Sequence, residues 1–152
     1  MIQVICPVCG AALEPQGAAW RCAQGHCFDV ARQGYVNLLT VTQKHSRHPG
    51  DTREMVAARR AFLDAGWYAP IAKTLADLVR RFCPAAEAVL DAGCGEGYYL
   101  SQLSWVPERW GIDISRDAVR YAAARDRGAH WLTATAAHLR TAGSTACCPC
   151  SP

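Results

Sequence analysis

VLDAGCGEGYYL, residues 89–100, decides the fold, because three glycines within five positions follow a short aliphatic run. Val89 and Leu90, with Ala88 before them, predict a buried parallel strand, and residues 91–97 predict the loop after it. Glycines at such a strand end let the backbone bend sharply and let a ligand approach without meeting a Cβ atom. We therefore expect an α/β fold with a cofactor site at this loop, and a helix that begins at Tyr98.

The spacing of the glycines bears on the kind of cofactor. A dinucleotide fingerprint, G-x-G-x-x-G, would place its third glycine at position 98, which is Tyr98 here. The observed order, G-x-G-x-G after Asp91, resembles motif I of the S-adenosylmethionine-dependent methyltransferases. Because that cofactor carries an ammonium and a sulfonium cation and no pyrophosphate, the carboxylates of Asp91 and Glu96 suit it better than a phosphate nest.

RWGIDIS, residues 109–115, predicts the second strand and places Asp113 where a carboxylate accepts both ribose hydroxyls. Ser115 is the predicted cap of a helix that closes at Gly128. A third strand is expected at 129–133; in the methyltransferase fold the loop after it lies beside the adenine. No acidic side chain occurs in that loop, so adenine contacts would depend on backbone groups or on Thr135. The predicted cofactor-binding residues are Asp91, Gly93, Gly95, Glu96, Gly97, Tyr98, Asp113, Ala134 and Thr135.

Nine cysteines in a chain without an export signal favour metal binding over disulfides. Two short knuckles, Cys6-x2-Cys9 and Cys22-x3-His26, are separated by 12 residues, which is the usual layout of a closed tetrahedral zinc site. Cys27 adjoins His26 and is an alternative fourth ligand. With all four positions filled by the protein, the zinc is expected to be structural and to stabilise a module too small for a sufficient core.

Two helices are predicted between the zinc module and the glycine loop. Asp51, with Glu54 three residues later, predicts the start of a helix that runs to about Asp64 and stops at Gly66. A second helix is expected to begin near Pro70 and to end before Pro84. Its apolar residues recur at helical spacing and are expected to pack on a sheet; they are Ile71, Leu75, Leu78, Val79 and Phe82.

The composition of the basic residues is compatible with a nucleic-acid partner. The net charge is only +3, but all 16 basic residues except Lys44 and Lys73 are arginine, whose planar fork suits phosphate. A high-GC coding bias would give the same composition. The segment between the modules contains the predicted RNA-binding residues Lys44, Arg47, Arg53, Arg59 and Arg60. It is interpreted either as a phosphate-contacting linker or as a solvated hinge.

Taken together, the zinc knuckles, FDVARQGYVNLL, HPGDTREMVAARRAFLDAGWYAP, VLDAGCGEGYY and GIDIS resemble the bacterial 23S ribosomal RNA (guanine-N1)-methyltransferase family over positions 5–139. The resemblance implies a zinc ribbon followed by a Rossmann-like methyltransferase domain. It also implies structural Zn²⁺, S-adenosylmethionine, methylation of guanine N1 in a 23S rRNA hairpin, and a homodimer. Guanine N1 lies on the pairing edge, so the base has to be unpaired or flipped.

The resemblance stops after Leu139. Family members continue for well over a hundred residues, whereas this sequence ends in RTAGSTACCPCSP, where we expect no strand. Our hypothesis is a frameshift or premature stop, with only the first three strands of the sheet present and methyl transfer impaired. Cys147, Cys148 and Cys150 have poor spacing for a zinc knuckle. No catalytic base is assigned, and His138 is expected to be a solvated loop residue.

The expected organisation is a zinc-ribbon RNA-recognition module at 1–42, a basic linker with helices at 43–84, a partial methyltransferase domain at 85–140 and an aberrant tail at 141–152. No apolar run approaches the roughly 20 residues needed to cross a bilayer. The N-terminus MIQVICPVCG lacks the charged region and the cleavage site of a signal peptide, so a cytoplasmic location without membrane contact is expected. Two further functions stay open: a zinc-dependent RNA-binding module without catalysis, and a nonfunctional fragment.

Overall fold

The structure is a computed structural model that describes residues 2–40 and 50–141. Two of its sheets are antiparallel and small. One sheet pairs β1 (Ile2–Val4) with β9 (Leu139–Thr141). The other has three consecutive strands, which are β2 (Leu13–Gln16), β3 (Ala19–Cys22) and β4 (Cys27–Asp29).

The third sheet is parallel and includes the strands on both sides of the glycine loop. Its strands are β5 (Tyr35–Asn37), β6 (Ala88–Ala92), β7 (Glu108–Asp113) and β8 (His130–Thr133). Their order across the sheet is β5-β8-β7-β6. The helices are α1 (Arg53–Asp64), α2 (Ala69–Phe82) and α3 (Arg116–Arg125). This architecture confirms the predicted zinc-ribbon plus partial Rossmann-like α/β fold.

The parallel sheet is covered on its two faces by different modules, because successive side chains of a strand point to opposite faces. On β7 and β8, Trp110, Ile112 and Leu132 face the ribbon and pack in one cluster with Val4, Leu13 and Trp20. Trp131 faces the other way and packs against α3 with Val119 and Ala122. A zinc ribbon therefore covers one face of this sheet and a helix covers the other.

Aromatic rings make the contact between the ribbon and the sheet specific. The Trp20 ring meets the Trp110 ring edge to face, with their centroids 6.0 Å apart. The Trp110 ring also stacks on the His130 ring at 4.2 Å. Aromatic pairs of this kind add roughly 0.5–1.5 kcal/mol beyond the burial of their area. The ribbon therefore packs against the sheet and shares a hydrophobic core with it.

Within the zinc-ribbon module expected at 1–42, Cys27–Asp29 pairs with the ribbon strand β3, whereas Tyr35–Asn37 joins the large sheet. The latter strand, β5, pairs in parallel with β8 and lies at the edge of the large sheet. Tyr35 and Val36 are 3% and 2% exposed, and they belong to the two clusters on opposite faces of that sheet. A three-residue strand is too short to show a periodicity that would identify its partner, so tertiary contacts decide where it pairs.

The predicted start of α1 needs one correction. Thr52, and not Asp51, is the N-cap: its Oγ1 accepts a hydrogen bond from the Met55 N–H at 3.3 Å. Asp51 has other partners, which are described with the site below. The predicted end is confirmed, because α1 stops at Asp64 and Gly66 follows with a φ of 86°.

α2 has the predicted bounds, but the expectation that its large apolar face packs on a sheet is wrong. Ala72 is buried, and Ala76 and Val79 contact the core from the same helix. Four larger side chains stay exposed: Ile71 (53%), Leu75 (37%), Leu78 (45%) and Phe82 (68%). Among the described residues the parallel sheet ends at β6, and no described element covers this face of α2.

Two further expectations differ from the structure. No α-helix begins at Tyr98; a short 3-10 helix at Leu100–Leu103 follows the glycine loop, because β7 already begins at Glu108 after Pro107. Residues after Leu139 were expected to form no strand, yet Leu139–Thr141 pair with β1. The tail cysteines lie outside the described residues.

Candidate functional site

The four predicted zinc ligands meet at one point of the ribbon. The ligand atoms of Cys6, Cys9, Cys22 and His26 all lie within 4.8 Å of one another. The His26 Nδ1 atom is 3.6 Å from the Cys6 Sγ atom and 3.4 Å from the Cys22 Sγ atom. The Cys9 and Cys22 Sγ atoms are 3.7 Å apart.

These distances match the tetrahedral coordination of a zinc ion. Zn–S bonds of about 2.3 Å and Zn–N bonds of about 2.0 Å separate tetrahedral ligand atoms by roughly 3.5–3.8 Å. The backbone supplies the necessary turns, since Gly10 N–H donates to the Cys6 carbonyl and Gly25 N–H donates to the Cys22 carbonyl, both at 2.9 Å. The alternative ligand Cys27 is exposed and stands outside the cluster. The residues therefore fit a closed structural zinc site.

The second site lies where the parallel strands end. The amides of Gly93 and Cys94 donate to the Ile112 carbonyl at 2.8 and 3.0 Å, which fixes the glycine loop beside β7. The Asp113 carboxylate joins the loop to α3, because Oδ2 accepts from Gly95 N–H at 3.0 Å and Oδ1 accepts from Ser115 N–H at 2.8 Å. Each carboxylate oxygen has a second lone pair, so Asp113 can still accept two hydroxyls.

Three carboxylates give this edge a strong negative character. Burial, together with the charges of Asp113 and Glu96, raises the pKa of Asp91 to about 6. Glu96 is itself only 2% exposed. Burial and the neighbouring carboxylates also raise the pKa of the Cys94 thiol, so this cysteine is held as the neutral thiol. A cationic ligand would relieve the repulsion among the three carboxylates.

The glycine loop fits closely against the sheet. Gly93, Gly95 and Gly97 have φ values of 86°, 54° and 80°, which non-glycine residues rarely adopt. A Cβ on Gly97 would come within 2.6 Å of the Trp131 ring and 3.0 Å of the Ala122 Cβ. The predicted cofactor residue Tyr98 is 8% exposed and packs with Leu63 and Ala72 of the helices.

The loop after β8 brings the predicted adenine residues to the same edge. Ala134 N–H donates to the Asp113 carbonyl at 3.0 Å, which places this loop next to the ribose-binding candidate. The expectation of a solvated His138 is wrong: its side chain is 3% exposed, and its Nδ1 atom accepts from Thr135 N–H at 3.2 Å. Burial lowers the pKa of His138, and the hydrogen bond that its Nδ1 atom accepts stabilises the loop from inside.

The predicted RNA-binding arginines differ in their surroundings. Arg53 is exposed at the start of α1. Arg60 pairs with Asp64 at 3.3 Å and lies over the Tyr121 ring. Arg59 pairs with Asp51 at 2.5 Å and turns toward the glycine loop. Lys44 and Arg47 lie outside the described residues.

Sequence reasoning missed a contact that ties the segment before α1 to the cofactor edge. Ser115 Oγ donates to the Asp51 carbonyl at 2.8 Å. Gly50, with a φ of 79°, comes so close that a Cβ there would lie 2.8 Å from the Ser115 Cβ. The motif HPGD carried the signal, because a Pro-Gly pair before an acidic residue indicates a fixed turn and not only a hinge. Gly50 and Asp51 are therefore docked against the N-cap of α3.

Comparison with known proteins places the chain among a defined set of relatives. A zinc-ribbon family model described as "RlmA, N-terminal" matches residues 4–47. The 23S rRNA (guanine(748)-N(1))-methyltransferase of Streptomyces fradiae is 45% identical over 123 residues, which cover 78% of this chain and 43% of that protein.

Two further relatives carry similar names. A putative 23S rRNA (guanine-N(1)-)-methyltransferase of Micromonospora griseorubida is 43% identical over 139 residues, covering 78% of this chain and 46% of the relative. A putative enzyme of the same name, YxjB of Bacillus subtilis (strain 168), is 32% identical over 143 residues, covering 87% and 49%. The chain thus spans slightly less than half the length of these relatives. Within the described residues, no helix has the length and apolarity that a membrane crossing needs.

Proposed function

We propose that the chain belongs to the family of 23S rRNA (guanine-N1)-methyltransferases and that it carries the methyl-donor site and the RNA-recognition ribbon of such an enzyme. The proposed reaction transfers a methyl group from S-adenosylmethionine to N1 of a guanine in a 23S rRNA hairpin. One observation carries the proposal: the glycine loop meets Asp91, Glu96 and Asp113 at the carboxyl edge of a parallel sheet. This edge is the usual ligand site of such sheets.

The chemistry of the donor fits these residues. S-adenosylmethionine, when bound, supplies a methyl group activated by a sulfonium cation, and it also carries an ammonium group and a ribose. We assign the two cations to the surroundings of Asp91 and Glu96, and the ribose hydroxyls to Asp113. The adenine would lie against Ala134 and Thr135, and the backbone of Gly93–Gly97 would allow close approach.

The protein has to prepare guanine N1 for attack, because this nitrogen holds a proton near neutral pH. The base must be isolated, deprotonated and aligned at near-attack distance, and most of the rate gain is expected from this positioning. In this proposal residues 1–42 recognise the RNA and residues 85–140 bind the donor. Phosphate contacts by Lys44, Arg47 and Arg53, a homodimer, and a cytoplasmic location, where ribosomal RNA is found, are parts of the same proposal.

Calorimetric titration of the zinc-loaded chain with S-adenosylmethionine tests the donor site. We expect micromolar binding that is lost in Asp113→Ala, because the ribose loses its acceptor and the glycine loop loses its tie to α3. Asp117→Ala is the matched control, since Asp117 lies on α3 and pairs with Arg120 at 3.6 Å. Absence of binding by the zinc-loaded wild-type chain would refute donor binding by this chain.

A second function is a zinc-dependent RNA-binding module without catalysis. It is favoured by the contrast between four zinc ligands that already meet and a parallel sheet whose strand β6 is an open edge among the described residues. Binding of a 23S hairpin that survives Asp113→Ala but is lost in Cys9→Ser would support this function. Methylation of the hairpin by the purified chain would reject it in favour of the enzyme.

A further inference from the structure

Arg59, whose side chain is 47% exposed, stands beside the glycine loop. Its Nη1 atom lies 3.7 Å from the position that a Cβ on Gly95 would occupy. Its other terminal nitrogen, Nη2, pairs with Asp51 Oδ2 at 2.5 Å. The guanidinium is therefore held by one nitrogen and directs the other at the loop where the donor is proposed to bind.

The position of Arg59 is fixed from two sides. α1 carries it, and Thr52 caps the first turn of that helix. Asp51 holds the guanidinium by its carboxylate, while its own carbonyl accepts from the Ser115 hydroxyl at 2.8 Å, directly after β7. The ion pair with Asp51 and the hydrogen bond from Ser115 to Asp51 thus hold Arg59 beside the glycine loop.

The charge of the site favours a cation beside the glycine loop. The amino-acid end of S-adenosylmethionine has an ammonium group and a carboxylate on the same carbon. Asp91, Glu96 and Asp113 attract the ammonium and sulfonium groups, but they repel the carboxylate. An arginine side chain is well suited to bind a carboxylate, because its planar, permanently charged guanidinium donates N–H hydrogen bonds to both carboxylate oxygens.

We propose that Arg59 binds the α-carboxylate of the methyl donor through Nη1, with Asp51 as the residue that positions it. This inference rests on the proposed function and assigns a specificity determinant within the same site. It moves Arg59 from the predicted RNA-binding set to the donor site. Its neighbour Arg60 is different, because its Nε atom pairs with Asp64 and its guanidinium lies 5.3 Å from the Tyr121 ring centroid.

The test compares ligands that do and do not carry the carboxylate. Zinc-loaded wild-type, Arg59→Met, Arg59→Lys and Arg60→Met chains are titrated with S-adenosylmethionine, with decarboxylated S-adenosylmethionine and with 5′-methylthioadenosine. We expect Arg59→Met to weaken S-adenosylmethionine about 10- to 100-fold, as for loss of a charge-assisted hydrogen bond. Affinity for the two ligands without a carboxylate should change less than about twofold, Arg59→Lys should recover part of the loss, and Arg60→Met should match the wild type.

The remaining outcomes separate this inference from the proposed function. Equal weakening of all three ligands by Arg59→Met would mean that Arg59 only supports the loop, and it would overturn the inference while leaving the donor site in place. No effect on any ligand would overturn it as well. If the wild-type chain bound none of the three ligands, the donor site itself would be wrong. Retained binding of 5′-methylthioadenosine by Arg59→Met also confirms that the variant is folded.

Discussion

The zinc ribbon and the glycine-loop site are assembled from very different lengths of chain. All four zinc ligands come from residues 6–26, and two turns bring them together. The glycine-loop site draws on strand ends, a capped helix and the turn before α1, from Gly50 to His138. A site centred on an ion can be inferred from ligand spacing, whereas a site at a sheet edge exists only after distant segments have packed.

The two regions also differ in how they are stabilised. The ribbon is a small module whose four ligand atoms fit a zinc ion, and a structural ion is expected to stabilise a module of this size. The glycine-loop edge depends on packing, since Trp131, Ala122 and Val119 fill the space beneath it. Yet the two share one cluster through Trp20 and Trp110, so loss of the ribbon must also uncover the sheet.

Loss of zinc should have the largest effect on stability, because it should unfold the ribbon and also expose the sheet. Cys9→Ser is expected to remove the ion, unfold the ribbon and expose the sheet face below Trp20, because structural zinc contributes on the order of 10 kcal/mol in small modules. Zinc content, tryptophan fluorescence and thermal unfolding measure the three consequences. Cys27→Ser is the control, as this exposed thiol lies outside the ligand cluster. Loss of zinc in Cys27→Ser with retention in Cys9→Ser would contradict the assigned ligand set.

Glycine substitutions should affect the other region alone. Gly97→Ala combines the cost of a left-handed residue with overlap between its Cβ and the Trp131 ring, so we expect a loss of about 3 kcal/mol in unfolding free energy. Gly93→Ala is the matched variant: its φ is similar at 86°, but no atom lies within 4 Å of the added Cβ, and about 1–2 kcal/mol is expected.

Denaturant unfolding measures both glycine variants, with zinc content as the internal reference for the ribbon. Equal losses would mean that backbone strain alone matters and that the Trp131 contact is unimportant. Loss of zinc in Gly97→Ala would contradict the independence of the metal site from the loop.

Protonation of Asp91 should have the smallest effect. Its pKa in the folded chain is raised to about 6, so the carboxylate is neutral below that pH and charged above it. A cationic donor favours the charged form, and its affinity should therefore rise by roughly 3- to 10-fold between pH 5 and pH 7, with proton release on binding near pH 6. Titration in two buffers of different ionisation enthalpy measures this release.

The raised pKa of Asp91 has the opposite effect on the stability of the protein without donor: stability falls, whereas donor affinity rises, as the pH increases. Because the folded chain binds the Asp91 proton more tightly than the unfolded chain does, stability from this group is greatest below the usual carboxyl pKa and falls as pH rises through about 6. Asp91→Asn should thus stabilise the free protein at pH 7 and lower its affinity for S-adenosylmethionine. Asp117→Asn is the control, and a pH profile of donor affinity that persists in Asp91→Asn would assign the titration to another group.

Much of the chain could be predicted from local patterns. Pro70 indicates where α2 begins. The hydroxyl of Ser115 indicates the cap of α3. The aliphatic residues before Asp113 indicate where β7 ends. Local signals were insufficient where the partner is far along the chain. β5 joined the parallel sheet and not the ribbon, and the large apolar side chains of α2 stayed exposed although their spacing is that of a core helix.

The sequence by itself determined the Cys/His cluster, the glycine loop and the carboxylates of the proposed donor site, because each depends on spacing within a short segment. Only the tertiary structure decided that the ribbon covers one face of the parallel sheet, that His138 is buried, and that Arg59 faces Gly95. The physical reason is common to all three. Packing and charge pairing between distant segments are selected by shape and burial in the folded chain, and no local period in the sequence encodes them.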